Sequence, residues 1–190
     1  NTSIEKAKFE VCNHRFTDLS ELRYGVSLLN DCKYGISVRD GCMALTLHKG
    51  GCRPDAAGDK GIHDCTYALL PHIGDFSSDT VIRAAYCIND PVSVVSGRTQ
   101  NQQSFVSSSE SNVIIETIKP AEDDATNCYI LRIYEAEGCA SHAEISFGHS
   151  VKSVEETNML EEKLEDVPVC ENKVALSLRP FEIKTLRVTY

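Results

Sequence analysis

Tyr24 to Gly35 reads YGVSLLNDCKYG, and its reading decides the fold. Val26 and Leu28 fall on one face of an extended run, the alternation of a half-buried strand. A polar cluster of Asn30, Asp31, Lys33 and Tyr34 then interrupts the apolar pattern. Two readings of that cluster stay open. In one it is a turn in which Asn30 and Asp31 cap backbone groups while Lys33 pairs with Asp31. In the other these side chains line a substrate cleft.

The same alternation extends outward. Upstream, Phe9 and Val11 oppose Lys8 and Glu10. Downstream, Ile36 and Val38 lead into Asp40-Gly41, a dipeptide that accepts the positive φ angles of a tight hairpin, and Met43, Leu45 and Leu47 return with period two. Lys49 to Gly61, KGGCRPDAAGDKG, is nearly free of apolar residues and reads as a long surface loop. IHDCTYALLPH regains strand character, which Pro71 is expected to stop. Ser77 or Ser78 then caps a predicted helix near 78–89, with Val81, Ala84, Ala85 and Ile88 on one face and Pro91 beyond its end.

Ser96 to Ser111 is polar and rich in Ser and Gln, and a domain boundary is expected near Asn101. Beyond it, Val113–Ile118, Tyr129–Tyr134, Ala143–Phe147, Val174–Leu178 and Ile183–Val188 are short strand-like runs at the spacing of a β-sandwich. Val154–Asp166 remains open between a helical turn and a strand followed by an acidic loop.

The 190 residues suit one large or two small domains. With 42% hydrophobic and 25% charged residues the composition is that of a globular protein. A net charge of −9 with scattered basic residues argues against nucleic acid, and no apolar run reaches membrane-spanning length. The N-terminus, without an initiating Met or a leader pattern, reads like a cut end, and Asn1-Thr2-Ser3 is formally a glycosylation sequon. Nine cysteines, an odd number without C-x-x-C spacing, read as free thiols in a reducing cytoplasm. Cys12, Cys42, Cys65 and Cys87 are expected to pack as small apolar groups. The six histidines show neither H-x-D nor H-E-x-x-H spacing, and no nucleophile elbow, P-loop or dinucleotide fingerprint is present. His14 reads as a histidine near a strand end, and core packing accounts better for His63, His72 and Cys65 than metal binding does.

The blocks KAKFEVCNHRFTDLSE, YGVSLLNDCKYG, RPDAAGDKGIHDCTYALLPH, NVIIETIKPAEDD, LRIYEAEG and RPFEIKTLRV occur in a fixed order through nearly the whole chain. That order resembles the C-terminal region of retaining α-mannosidases of glycoside hydrolase family 38, with LLNDCKYG and FEIKTL closest to the bacterial and cytosolic-type branch. The chain departs from the usual pattern at Ile4-Glu5, at Gly50-Gly51-Cys52, and at Asp64-Cys65, where Glu-Phe is expected.

The resemblance implies a mainly β fold of antiparallel β-sandwich architecture. Residues 1–100 would be the C-terminal part of a mutarotase-like super-sandwich, and 101–190 a terminal β-sandwich. It implies a zinc-dependent parent enzyme that hydrolyses terminal α-mannosyl linkages with retention. Zinc, an Asp nucleophile and an acid/base would sit on an N-terminal catalytic barrel of the same polypeptide, outside this sequence. This fragment would then have no catalytic or metal-ligating residue, would be inactive alone, and would support and rim the active site. Its partners would be that barrel and the α-mannoside substrate, without nucleic acid or membrane, in the cytoplasm. Candidates for the substrate side or a domain interface are Asn30, Asp31, Lys33, Tyr34, Arg53, Asp55 and Asp59. The alternatives are a stand-alone carbohydrate-binding or adhesion module, against which the lack of Trp weighs, and a cysteine-based metal or redox protein.

Overall fold

Alternating side chains can be buried only by pairing strands, and in the computed structural model fourteen strands among the described residues do so, in antiparallel sheets. Residues 9–98, 103–123 and 125–190 are described. The sequon, Ile4-Glu5 and the expected boundary at Asn101 lie outside them. The chain divides into two compact units, 1–94 and 95–190.

In the first unit β1 (Val11–Cys12), β4 (Gly35–Arg39) and β5 (Cys42–Leu45) form one antiparallel sheet in the order β1-β4-β5. Asp40 and Gly41, at φ 51° and 74°, make the expected tight turn between β4 and β5, with Arg39 opposite Cys42. A second sheet has the order β2-β3-β6, from β2 (Phe16–Ser20), β3 (Tyr24–Asn30) and β6 (Tyr67–Ile73). Contrary to expectation, β6 runs through Pro71. It is an edge strand, where a proline's missing N–H need break no ladder bond. The Phe9 and Val11 run shrinks to two paired residues, and both side chains are exposed.

The predicted helix forms as a π-helical turn, Ser78–Ile82, continuing into α1 (Arg83–Asn89). Ser77 is its N-cap with extended backbone, although its hydroxyl meets Thr80 Oγ1 at 2.8 Å and not a backbone amide. Val81 and Ala85, with Ala84 and Ile88, pack on Phe16, Leu29, Ala68 and Leu70, which share one face of the second sheet. At one end of that face the buried His72 side chain meets Asp18 Oδ1 at 2.7 Å, and the Ser27 hydroxyl donates to the same oxygen. Space is tight there. A Cβ on Gly25 would collide with the His72 ring.

The second unit contains all five strands expected from the alternation, as β8 (Val113–Pro120), β9 (Cys128–Glu135), β10 (Ser141–Phe147), β13 (Lys173–Leu178) and β14 (Ile183–Thr189). The open segment 154–166 is a pair of strands, β11 (Ser153–Thr157) and β12 (Lys163–Val167), joined by a polar turn in which Asn158 Oδ1 accepts the amides of Leu160 and Glu162. A further short strand, β7 (Val106–Ser108), lies in the Ser-rich stretch. The sheets β13-β10-β7 and β12-β11-β14-β9-β8 face each other. Ala143, Ile145, Phe147, Val174, Leu176 and Leu178 from one meet Leu131, Ile133, Val154, Leu186 and Val188 from the other. The cysteines do not follow expectation: Cys12, Cys42 and Cys87 are exposed and Cys65 is half-buried, while Cys128 is buried.

Where β9 ends, the Glu135 side chain enters the protein with 1% exposure. A buried carboxylate is stable only if its lone pairs are filled. Its Oε1 accepts Asn112 Nδ2 (2.9 Å), the Glu137 amide (2.8 Å) and the Cys139 thiol (3.4 Å). Its Oε2 accepts the amides of Gly138 (2.8 Å), Cys139 (3.2 Å) and Phe181 (3.0 Å). Burial pushes this carboxyl up, but the Phe181 and Glu137 amides, Asn112 and the Cys139 thiol outweigh it and bring its pKa down to about 2.

A carboxylate with a lowered folded pKa adds stability above its unfolded pKa and loses it as pH falls through the folded value. For Glu135 the window runs from 4.5 to about 2, and the contribution is roughly 3 kcal/mol. Glu135→Ala should therefore lower the urea-unfolding free energy at neutral pH by about 3 kcal/mol or more. Glu135→Gln should also destabilise, with a deficit relative to wild type that shrinks as pH falls from 4.5 toward 2.

Candidate functional site

The polar cluster sits where β3 ends and the chain must turn into β4. Asn30 is 0% exposed and its groups all point into the protein. Its Oδ1 accepts the Lys33 amide at 2.9 Å, closing the turn. Its own amide donates to the Arg15 carbonyl at 2.9 Å, and its carbonyl accepts Nδ2 of Asn89, the last residue of α1, at 3.0 Å. Asn13, with its amide nitrogen turned toward the Lys33 and Tyr34 carbonyls, accepts from Asn30 Nδ2 at 3.2 Å and from Thr17 Oγ1 at 2.9 Å.

Asp31 caps a different strand. Its Oδ2 accepts the Thr66 amide at 2.9 Å and its amide donates to the Thr66 carbonyl at 3.1 Å. The carboxylate's partner is therefore Thr66 and not the Lys33 ammonium. The Cys32 thiol first, then the Thr66 amide and hydroxyl, hold this carboxyl below the usual range. Tyr34 is 48% exposed, its ring 4.7 Å from that of His14 at 39°. Tyr34 thus presents its side chain at the surface of a turn that Asn30 and Asp31 hold through their hydrogen bonds, with Lys33 half-buried beside it.

Arg53, Asp55 and Asp59 lie on the exposed segment between β5 and β6. Asp55 Oδ1 accepts the Ala57 amide at 2.8 Å, and the Asp59 carbonyl meets His63 Nε2 at 2.6 Å. Residues of this loop enclose an open cavity of about 420 Å³ that includes His48, Cys52, Asp59 and His63 but not Arg53 or Asp55. The end of the loop joins the turn through Asp64 and Thr66.

A second cavity, of about 580 Å³, lies in the second unit beside Phe105, Tyr129, His149 and Tyr190. Phe105 stacks on His149 at 4.5 Å and 15°, and the Tyr129 hydroxyl meets His149 Nε2 at 3.3 Å. Burial raises the Tyr129 pKa. No motif of the sequence pointed to this cluster, because its members come from four separate segments. Among the described residues no group of three or more His, Cys, Asp or Glu side chains could hold a metal ion.

These units define a class, the antiparallel β-sandwich module with polar side chains that cap its own turns. Residues 112–186 match the family 38 C-terminal beta sandwich domain of glycosyl hydrolases, and residues 1–57 match that family's C-terminal domain. The chain belongs to the C-terminal region of glycosyl hydrolase family 38.

It is 37% identical over 199 residues to alpha-mannosidase G of Dictyostelium discoideum, covering 98% of this chain and 18% of that protein. It is 36% identical over 213 residues to alpha-mannosidase of Saccharomyces cerevisiae, covering 100% and 20%. It is 38% identical over 192 residues to alpha-mannosidase 2C1 of Homo sapiens, covering 98% and 18%. The chain thus spans about a fifth of the length of these relatives. Two solved structures from Enterococcus faecalis, one a protein in glycosyl hydrolase family 38 and one an alpha-mannosidase, share the fold over 94% of this chain. They do so at 20% identity, with TM-scores of 0.65 and 0.66, and the chain covers 22% and 21% of them.

The different burial of the candidates has a measurable consequence. Asn30→Ala should destabilise the chain by about 2 kcal/mol, because it leaves buried donors and acceptors unpaired. Tyr34→Ala and Arg53→Ala, at the surface, should stay within about 0.5 kcal/mol of wild type in the same urea titration.

Proposed function

We propose that this chain is the non-catalytic C-terminal β-region of a zinc-dependent retaining α-mannosidase that hydrolyses terminal α-mannosyl linkages. It supports the catalytic part of the same polypeptide and rims its active site. The observation that carries this reading is the 36–38% identity along the whole chain to proteins named alpha-mannosidase, each about five times longer. In this reading zinc, the nucleophile and the acid/base belong to the catalytic part of the same polypeptide. Residues 1–100 are the end of a mutarotase-like super-sandwich and 101–190 the terminal sandwich. Lys33, Tyr34, Arg53 and Asp59 are the groups placed to reach a neighbouring domain or a sugar. Asn30, Asp31 and Asp55 act through the turns they cap.

The sheet β2-β3-β6 supports the docking role. On the face turned away from α1, the register brings together Leu19, Tyr24, Val26, Tyr67, Leu69, Pro71 and Ile73. Leu69 is 68% and Ile73 94% exposed. An apolar face of this extent is the signature of an interface, and we assign it to the catalytic part of the parent polypeptide. The unpaired state of all nine cysteines suits a cytoplasmic protein. No helix among the described residues is long and apolar enough to cross a membrane.

Assayed alone on an aryl α-mannoside with zinc added, the chain should show no turnover, and titration with mannose oligosaccharides should give no micromolar binding. Turnover would overturn the non-catalytic reading, and micromolar binding would favour a carbohydrate-binding module instead. In the full-length enzyme, Leu69→Asp should lower thermal stability and activity together. The same change should leave the melting temperature of the isolated chain within a few degrees of wild type.

A further inference from the structure

The pairing of β3 with β6 runs in step from Tyr24 opposite Ile73 to Asn30 opposite Tyr67. One residue further, the Asp31 amide donates to the Thr66 carbonyl at 3.1 Å. The next pair in this order is Cys32 and Cys65. Bonded and unbonded pairs alternate along an antiparallel ladder, and the unbonded places bring Cα atoms to about 4.5 Å with side chains closest. Both strands end before this pair, at Asn30 and Tyr67, and Cys32 lies in the turn, yet the two thiols are near enough for the charge of Cys65 to act on Cys32. An independent contact agrees. Cys32 Sγ lies 4.0 Å from the carbonyl oxygen of Asp64, the residue covalently joined to Cys65. Cys32 is exposed and Cys65 half-buried, so a small reagent reaches the pair.

We propose that Cys32 and Cys65 are a reversible oxidation site that closes to a cross-strand disulfide by exchange with a low-molecular-weight disulfide such as glutathione disulfide. The Cys32 thiolate, having lost its proton to solvent, attacks one sulfur of glutathione disulfide and expels one glutathione thiolate. The Cys65 thiolate then attacks the Cys32 sulfur of the mixed disulfide and expels the second. Two protein thiols are oxidised to one disulfide, and one glutathione disulfide is reduced to two thiols. Asp31 is the main cause that pushes the Cys32 thiol up, followed by burial, so the thiolate is scarce near neutrality and exchange quickens with rising pH. The bond would tie the turn at Asn30–Tyr34 to the end of the segment that carries Arg53, Asp55 and Asp59. This site follows from the contacts between the turn and the segment before β6, and it goes beyond the enzyme reading, whose failure would leave it intact.

The test uses the folded 190-residue chain, fully reduced and then incubated with glutathione disulfide at mildly alkaline pH. Remaining thiols are alkylated and the protein is digested without reduction. The expected product is a linked peptide pair containing Cys32 and Cys65, with two fewer alkylated thiols and full reversal by dithiothreitol. In Cys65→Ser protein, Cys32 should retain glutathione as the mixed disulfide. In Cys32→Ser protein the linked pair should vanish. Wild-type protein in which Cys32 stays glutathionylated beside an unlinked Cys65, in which neither residue reacts, or in which exposed cysteines cross-link indiscriminately would overturn the proposal.

Discussion

A backbone amide that leaves water must find an acceptor, and in each unit one buried side chain at the end of an inner strand meets this constraint. Glu135 ends β9 and gathers amides from the turn at 137–139 and from Phe181, before β14. Asn30 ends β3, and its Oδ1 takes the Lys33 amide of the following turn, while its backbone amide and carbonyl bond the Arg15 carbonyl and the last residue of α1. Hydrophobic contact holds the sheets together without fixing how the chain turns between them. These two side chains supply that fixing. The charged one does so more strongly, since hydrogen bonds to an ionised group are about twice as strong as neutral ones.

The difference between what was legible in the sequence and what was not has a physical origin. Ala143, Ile145 and Phe147, or Val174, Leu176 and Leu178, alternate because one side of each strand faces the sandwich core, and that local pattern identifies the strand directly. Asp40-Gly41 and the helix beginning near Ser78 carry equally local signals. Val106–Ser108 does not, because an edge strand of three residues in a Ser-rich stretch is defined by its partner, β10. Segment 154–166 was ambiguous for a related reason: β12 is largely exposed and its side chains carry little alternation. The cysteines misled because a thiol near apolar residues is as compatible with the outer face of a strand as with the inner one.

The candidate site was legible as a turn but not as a network. Asn30 and Asp31 are residues that cap backbone groups, yet their partners Asn13, Thr66 and Asn89 are distant in sequence. Glu135 was not singled out at all. An acid before Ala-Glu-Gly at a strand end looks like any solvated charge, and only the convergence of Asn112 and Phe181 from elsewhere reveals that it is enclosed. In this chain Asn30, Asp31 and Glu135 all bond backbone groups of the turns beside them.

Pro71 carries a consequence for how this sheet meets other chains. Asp31 and Thr66 hold a bonded place, so alternation along β3 and β6 puts Val26 and Pro71 in an unbonded one, and the proline nitrogen faces the open margin. A newcomer strand aligning there finds a missing donor in mid-row. The margin is thereby blunted as a template for fibrillar stacking.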